Sequence, residues 1–171
     1  MTILVDEARW PWRGARWAHL VSDVSYDELH EFARQLGKRR LGFQGDHYDV
    51  EEVDRERALA FGATAVESRE LVRRLRGAGL RDRAAKPAWR RISAWPEGVM
   101  PRLDDDFAAR LAPASLDLVA ATVAAFEDPV HRVLLVDLRD DVELPEFVDP
   151  SVIVSGVRPD RTRSIEVFLT R

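Results

Sequence analysis

The first eighty residues alternate short aliphatic runs with stretches of helical periodicity. Over residues 26–36, apolar side chains recur at three- and four-residue spacing. Ser25 and Glu28 are spaced as a capping box at the start of this stretch, and Gly37 follows as a stop. The alternation predicts an α/β fold in which a layered sheet with at least partly parallel strands is flanked by helices. Strands are predicted at residues 2–5, 17–23 and 64–66, and helices at residues 26–36, 50–62 and 69–76, the last capped by Ser68.

The second half of the chain predicts an α+β extension. Residues 84–102 contain three prolines and a glycine and show no clear period, which indicates a wrapping linker between two parts. We expect an α/β domain over residues 1–83 and the extension over residues 103–171, packed on the first part. Within the extension, helices are predicted at residues 104–111 and 113–126 and strands at residues 130–138, 152–154 and 165–169, the last two joined as a hairpin.

Composition limits the class of protein. Hydrophobic residues make up 46% of the 171 residues and charged residues 33%, which is typical of a folded globular chain. No apolar run reaches the roughly 18 residues of a membrane span, and the start has no secretory pattern. The absence of cysteine excludes disulfides, thiolate zinc sites and cysteine nucleophiles. We expect a cytoplasmic protein with no membrane partner.

Charge is distributed unevenly along the chain. The net charge is −4, yet residues 65–91 hold nine basic and three acidic residues. This basic segment lies between two acidic ones, so it could bind phosphate groups or dock the acidic second half onto the first. The overall balance argues weakly against nucleic acid as the default partner.

A polar cluster at residues 44–49, Gln-Gly-Asp-His-Tyr-Asp, is the strongest functional signal. Two carboxylates, an imidazole, a phenol and a carboxamide fall within six positions, whereas plain loops are built mainly from Gly, Ser, Asn, Asp and Pro. On an extended chain Asp46 and Tyr48 share one face, while His47 and Asp49 share the other. A turn is therefore needed before all of them can face one pocket.

Two further candidates lie on the predicted strands. Asp6 follows the first strand, and ligands of open α/β sheets collect outside the carboxyl ends of strands. In the second strand, alternation puts His19 on one face with Trp17 and Val21. His19 could be a hydrogen-bonded core residue, or a ligand or general base directed at the polar cluster.

The segment from Arg9 to Trp17 is an unusual loop, with three tryptophans and three arginines in nine residues. Pro11 and Gly14 exclude a regular helix there. Aromatic rings and guanidinium planes suit stacking on a base, although tryptophans that pack on the core would give the same composition.

These candidates support a metal-assisted hydrolase that acts on a phosphodiester or nucleotide, with Mg, Mn or Zn as the divalent metal. A non-catalytic nucleotide- or small-molecule-binding module, or a regulatory interaction module, is the alternative, and a purely structural hydrogen-bond network is the third. No Gly-x-Ser-x-Gly elbow or His-Glu-x-x-His motif is present. The predicted catalytic residues are Asp6, His19, Asp46 and His47; the metal ligands are these four and Asp49; the substrate-binding residues are Arg9, Trp12, Arg13, Gln44 and Tyr48.

Several stretches of the first half carry a resemblance to a known family. Ile3-Leu4-Val5-Asp6, Trp17-Ala18-His19-Leu20 with Asp23, Glu28 to Ala33 and Phe43 to Asp49 resemble a small bacterial and phage family that is described only as a domain of unknown function. The resemblance covers about eighty residues. It implies an intracellular bacterial or phage-derived protein and no established activity.

A second similarity, at the level of the fold, is to PIN-like nucleases. Val5-Asp6 ends a first strand, and residues 62–71 are similar to the late strand and helix of that fold, with Glu67 and Glu70 nearby. The Trp-rich loop and His19 depart from the pattern.

Overall fold

The computed structural model of the chain describes residues 2–82 and 84–171. The chain forms two compact units, Met1–Pro87 and Ala88–Arg171. Unit 1 is mixed α/β and unit 2 is built around an antiparallel sheet, in agreement with the predicted fold class. No described helix has the length and apolar character that crossing a membrane requires.

Unit 1 is a five-stranded sheet with helices. Its strands run in the order β2-β3-β1-β5, and β4 pairs with β3. The β1–β5 pair is parallel and the others are antiparallel. The elements are β1 (Ile3–Val5), β2 (Trp10–Trp12), β3 (Ala15–Ser22), α1 (Tyr26–Gln35), β4 (Tyr48–Glu51), α2 (Glu52–Ala60), β5 (Thr64–Ala65) and α3 (Ser68–Gly77).

The sheet is covered on both faces, as alternation along β3 predicts. Ala18 and Leu20 belong to the core formed with α1 and α2, whereas Val21 packs with Leu71 and Leu75 of α3. Successive strand residues point to opposite faces, so an apolar run is needed wherever both faces are buried. His19 therefore lies on the same side of the sheet as α3.

Local signals at α1 act largely as predicted. The Ser25 hydroxyl accepts a hydrogen bond from the Glu28 amide at 3.1 Å, which caps the helix. The Glu28 carboxylate accepts from the Ser22 hydroxyl and from the Thr2 amide, so it ties the helix start to β1 and β3. Gly37 has φ of 84° and follows the helix end, as a stop should.

Two boundaries in unit 1 differ from the prediction. The predicted helix from residue 50 starts at Glu52, because residues 48–51 pair with β3 as a strand. Ser68 does not cap α3, since the cap position is Glu67 and no side chain there bonds the helix. The Ser68 hydroxyl donates instead to Asp6.

Unit 2 contains an antiparallel sheet in the order β6-β7-β8-β10-β9. The hairpin predicted between the last two strands is confirmed, since β9 pairs antiparallel with β10. Buried aliphatic side chains from the strands pack with Phe107 and Leu111 of the helix α4. The elements are β6 (Arg90–Trp95), α4 (Asp105–Leu111), β7 (Thr122–Glu127), β8 (His131–Arg139), β9 (Val152–Val154) and β10 (Thr162–Thr170).

Two predictions fail in unit 2. The helix predicted over residues 113–126 is wrong: short 3-10 turns lead into β7, because Ser115 adopts a left-handed φ of 47° and Thr122 begins a strand that pairs with β8. Part of the predicted linker forms β6, a strand at one edge of the sheet with an irregular register between Arg91 and Ser93. Such an edge strand is mostly exposed and leaves no alternating apolar signal.

Candidate metal centre

β1 and β3 bring Asp6 and His19 together. The antiparallel pairing continues past β1, where the Asp6 amide donates to the His19 carbonyl at 3.2 Å. One carboxylate oxygen of Asp6 accepts from the His19 amide at 2.7 Å and the other lies 3.0 Å from the His19 Nδ1. Two residues that are thirteen positions apart in sequence are thus held in one hydrogen-bonded unit.

The Asp6 carboxylate is nearly sealed, with 1% of its side chain exposed. The Ser68 hydroxyl donates a third hydrogen bond to it at 2.7 Å. Burial disfavours the ionised acid, but the hydrogen bonds from His19 and Ser68 outweigh burial and hold the pKa of Asp6 below its ordinary value. An ionised Asp6 accepts the proton of His19 Nδ1, so the His19 Nε2 is the ring nitrogen that remains to bind a metal.

A tight loop positions the second imidazole, that of His47. The Gln44 amide donates to the His47 carbonyl at 2.8 Å, and Gly45 adopts φ of 95° to turn the chain. The His47 Nδ1 lies 2.6 Å from one carboxylate oxygen of Asp46, whose other oxygen accepts from Arg81 at 2.8 Å. The Asp46 side chain is 1% exposed. Asp46 therefore orients His47 as Asp6 orients His19.

β4 pairs with β3, and Asp49 of β4 lies directly opposite His19 of β3. Asp49 is thus brought to the same place as the two imidazoles. The Asp49 carboxylate lies 3.4 Å from the His47 Nε2. Burial lowers the pKa of His47, but hydrogen bonds to Asp49 and Asp46 outweigh it and raise that pKa above its ordinary value. The hydrogen bond from His47 lowers the pKa of Asp49 against the effect of burial.

The three side chains form a compact donor set. One ligand atom from each of His19, His47 and Asp49 lies within 4.8 Å of the other two, and the imidazole ring centroids are 5.1 Å apart. All three side chains are partly exposed, so solvent reaches the set. Two imidazole nitrogens and one carboxylate oxygen suit Zn²⁺ or Mn²⁺ better than Mg²⁺, which prefers oxygen ligands.

A cavity of about 280 Å³ adjoins this donor set, and we name it the inner cavity. Val21 of β3 and Leu71, Val72 and Leu75 of α3 form its apolar wall. Asp6, Trp10, His19, His47, Ser68 and Arg81 line the remainder. The candidate centre thus lies where an apolar pocket meets a cluster of charged and titratable groups, an arrangement typical of ligand sites.

Three of the predicted substrate-binding residues have other surroundings. Tyr48 is 2% exposed, packs in the core, and its hydroxyl lies 2.8 Å from the His30 Nδ1. The Gln44 carboxamide donates to the Gly42 carbonyl of its own loop at 3.3 Å. Arg9 pairs with Glu7 and lines a second cavity, described below.

The two others lie at the tip of the β2–β3 hairpin. The Arg13 guanidinium is 4.5 Å from the centre of the Trp12 ring, and the Trp12 side chain is exposed. Neither residue lines the inner cavity. Their predicted contact with substrate therefore needs a ligand that extends beyond this pocket.

Sequence reasoning missed three residues that contribute to the site. Trp10 and Trp12 lie two positions apart in β2 and share one face of the strand, so alternation alone could not show that Trp10 rather than Trp12 lines the cavity. Ser68 has the position and residue type of a helix cap, which masked its hydrogen bond to Asp6. Arg81 lies among glycine, alanine and arginine residues that carry no signal for a pairing with Asp46, 35 positions earlier in the chain.

Comparisons with known proteins support the resemblance and add no activity. Residues 3–78 match the model of a family described as a protein of unknown function (DUF4031), which confirms the predicted similarity of the first half to such a family. No curated protein and no solved structure matches the chain.

Proposed function

We propose that unit 1 is a metal-dependent hydrolase that acts on a phosphodiester or nucleotide, with His19, His47 and Asp49 as the metal ligands. The carrying observation is that three ligand atoms converge within 4.8 Å while each imidazole is already oriented by a buried carboxylate. Carboxylate–histidine–metal arrangements of this kind set the tautomer of the histidine and raise its basicity as a ligand.

This assignment divides the five residues predicted as ligands into two roles. His19, His47 and Asp49 offer atoms to the metal, whereas Asp6 and Asp46 hold the imidazoles in place. Both oxygens of each of these two carboxylates already accept hydrogen bonds or ion pairs, and their side chains are 1% exposed. If Asp6 moved onto a metal, His19 would lose its partner. If Asp46 did so, His47 and Arg81 would lose theirs.

The chemistry follows from an incomplete ligand set. Three protein ligands leave positions for water and for a substrate oxygen, which is typical of catalytic rather than structural metal sites. A metal held by His19, His47 and Asp49 would lower the pKa of a bound water and so supply a nucleophile near neutral pH, with the proton passing to solvent. Attack on phosphorus would form the new bond and break the bond to the leaving oxygen, which would take a proton from water. Arg81, at the wall of the inner cavity, adds positive charge near this point.

Titration calorimetry with Zn²⁺, Mn²⁺ and Mg²⁺ tests the metal site. We expect binding of Zn²⁺ or Mn²⁺ and weaker binding of Mg²⁺. His19→Ala and His47→Ala should each lower affinity by more than about a hundredfold, since loss of an outer partner alone costs about 10–100-fold. His131→Ala is the matched control, because it removes a partly exposed imidazole from unit 2 and should leave binding unchanged.

Hydrolysis of bis(p-nitrophenyl) phosphate tests the reaction. We expect metal-dependent release of nitrophenolate that chelation abolishes and that Asp49→Asn reduces in proportion to lost metal. Absence of metal binding, with destabilisation by the histidine variants alone, would show that the cluster is a structural hydrogen-bond network.

The alternative function, non-catalytic binding of a nucleotide or other small molecule, is favoured by the apolar wall of the inner cavity. It leads to a different outcome in the same experiments. A nucleotide would raise the thermal stability of the chain in the presence of chelator, and a ligand at a hundred times its dissociation constant adds about 2.7 kcal/mol. No hydrolysis would accompany that shift.

A further inference from the structure

Trp10 lies at the junction of two cavities. It lines the inner cavity, and it also lines an open cleft of about 520 Å³ together with Arg9, Glu67, Ser68 and Arg69, which we name the Trp10 cleft. Trp10 is 61% exposed, and its ring centroid is 6.4 Å from that of His19. A large aromatic face is therefore presented to solvent beside a candidate metal ligand.

The hairpin holds Trp10 in a defined position. Arg13 and Gly14 adopt φ of 52° and 79° and reverse the chain, so that β2 pairs with β3 and Trp10 lies opposite Trp17. A strand position orders the Trp10 backbone before any ligand arrives, which lowers the entropy lost on binding. The exposed ring can then act as a prepared stacking surface.

Charge in the Trp10 cleft suits a phosphate chain. Arg69 forms no ion pair with any described residue, so its guanidinium is available to a ligand. Arg9 also lines the cleft but is paired with Glu7, and Glu67 supplies an opposing carboxylate. Ser68 faces the cleft and donates to Asp6, which in turn contacts His19. The cleft is therefore connected to the metal centre through two hydrogen bonds.

Trp10 lines both cavities, which points to a substrate longer than one nucleotide. A cavity of a few hundred Å³ holds one small ligand, so a mononucleotide would occupy the inner cavity or the Trp10 cleft and leave the other one empty. A base can stack on Trp10 only if its face is not already covered by a neighbouring base pair. Unpaired strands provide such faces, and stacking tolerates any sequence.

We propose that the substrate is single-stranded nucleic acid, with one base stacked on Trp10 and the adjoining phosphates in the Trp10 cleft near Arg69. This inference rests on the proposed hydrolase function, because the stacked base would carry the neighbouring phosphodiester to the metal centre. The hairpin tip, with Trp12 and Arg13, extends the same surface and gives a further nucleotide a place to contact the protein.

The fluorescence anisotropy of labelled oligothymidylate and oligouridylate, each eight nucleotides long, tests the stacking of a base on Trp10. The full chain is used with chelator, so that no cleavage occurs. Trp10→Ala should weaken binding about tenfold or more, which corresponds to the loss of one stacked base. Trp10→Phe retains an aromatic face and should restore most of the affinity. Equal binding by the wild type and Trp10→Ala, or no binding by the wild type, overturns the proposal, as does a duplex bound as tightly as the single strand.

The salt dependence of binding tests the role of Arg69. Arg69→Gln should make the slope of log affinity against log salt concentration shallower by about 0.7, the amount expected for one phosphate contact on a single strand. Arg73→Gln is the matched control, since Arg73 is on the same helix but is paired with Glu70 outside the cleft. Equal slopes for the two variants contradict a phosphate contact at Arg69.

A small activated diester separates this inference from the function on which it rests. Bis(p-nitrophenyl) phosphate needs the metal centre but offers no base and no phosphate chain. If Trp10→Ala slows oligonucleotide cleavage by a larger factor than it slows hydrolysis of the small diester, both proposals are supported. Metal-dependent hydrolysis of the small diester with no effect of Trp10→Ala on oligonucleotides leaves the hydrolase standing and removes the stacking site. If oligonucleotide binding depends on Trp10 but neither compound is hydrolysed, the hydrolase proposal is wrong, and the surface binds single strands without cleaving them.

Discussion

At the scale of single residues, Asp6 and Asp46 show how burial changes what a carboxylate can do. Each is 1% exposed and accepts a hydrogen bond from the Nδ1 of the histidine that it orients. A buried charge is tolerated only when its lone pairs are occupied, so these two acids are committed to the residues that surround them. Asp49 lies 3.4 Å from the His47 Nε2, but its side chain is 46% exposed, so it can turn toward a ligand without leaving a buried charge unpaired.

The first prediction contrasts Asp6→Asn with Asp49→Asn. In Asp6→Asn the neutral amide cannot accept all three hydrogen bonds, so we expect the free energy of unfolding to fall by about 2 kcal/mol and metal affinity to fall about 10–100-fold. Asp49→Asn should lower metal affinity but reduce stability by no more than about 1 kcal/mol. Denaturant unfolding in chelator and titration calorimetry measure the two effects. Equal stability losses in both variants would contradict the division of roles.

The second prediction concerns His30, whose ring nitrogen contacts the buried Tyr48 hydroxyl. Burial, with a smaller effect of the Arg40 charge, lowers the pKa of His30 to about 4 from an ordinary value of 6.5, against an opposing effect of Asp27. The unfolded chain therefore binds the proton more readily than the folded chain. His30 does not penalise folding above about pH 6.5, and stability falls as the pH drops from there toward 4.

We expect this histidine to account for about 3 kcal/mol of the stability lost between pH 7 and pH 4. His30→Gln cannot titrate but can still bond to the Tyr48 hydroxyl, so its unfolding free energy should depend less steeply on pH. At each pH, the unfolding free energies of the two proteins are measured with denaturant and subtracted, which removes contributions from unit 2. An identical pH dependence would show that His30 ionises freely in the folded chain.

At the scale of elements, β3 assembles the candidate centre. It pairs with β1, β2 and β4, and these contacts bring Asp6, Trp10 and Asp49 to its own His19. The loop before β4 completes the centre, because an isolated bridge between Phe43 and Tyr48 closes it around His47. One strand with several partners therefore converts four distant segments into one site.

The third prediction tests the loop at Gly45. A Cβ there would lie 2.7 Å from the Lys86 amide nitrogen and 2.9 Å from the Ala85 carbonyl carbon, and φ is 95°. Because both obstacles are backbone, we expect Gly45→Ala to lower the free energy of unfolding by about 3 kcal/mol and to displace His47. Gly62→Ala is the control, since φ is 103° but no atom lies within 4 Å, and it should cost only about 1 kcal/mol. Similar losses for both would remove the role of the close approach.

At the scale of the whole molecule, each unit has its own hydrophobic core. Two clusters of buried residues lie within residues 1–87, and a third lies within residues 88–171. A segment with its own core has what it needs to fold alone. The family match ends at residue 78, yet Arg81 binds Asp46 and the Tyr26 hydroxyl donates to the Leu80 carbonyl at 2.7 Å. Unit 1 therefore includes residues beyond the matched region.

The fourth prediction is that fragments 1–87 and 88–171 each fold, with dispersed amide resonances and cooperative unfolding. A fragment of residues 1–78 should be about 3 kcal/mol less stable than fragment 1–87, because the buried Asp46 carboxylate loses Arg81. Arg81→Gln in fragment 1–87 should reproduce much of that loss. If fragments 1–78 and 1–87 are equally stable, the segment after α3 does not support the site.

Local signals determined a large part of this protein from sequence alone. The α/β class, the Ser25 cap of α1, the alternation that directs His19 to one face and the hairpin of β9 and β10 all depend on neighbouring residues, so pattern predicts them. The failed helix at residues 113–126 has the apolar spacing of a helix, and pairing with β8 overrode that spacing. The partners that hold the two buried carboxylates depended on the tertiary structure, because Asp6 contacts Ser68 across 62 positions and Asp46 contacts Arg81 across 35. Local patterns carry no record of strand pairing over such separations, and burial in the folded chain decided which acids are occupied and which remain available to a metal.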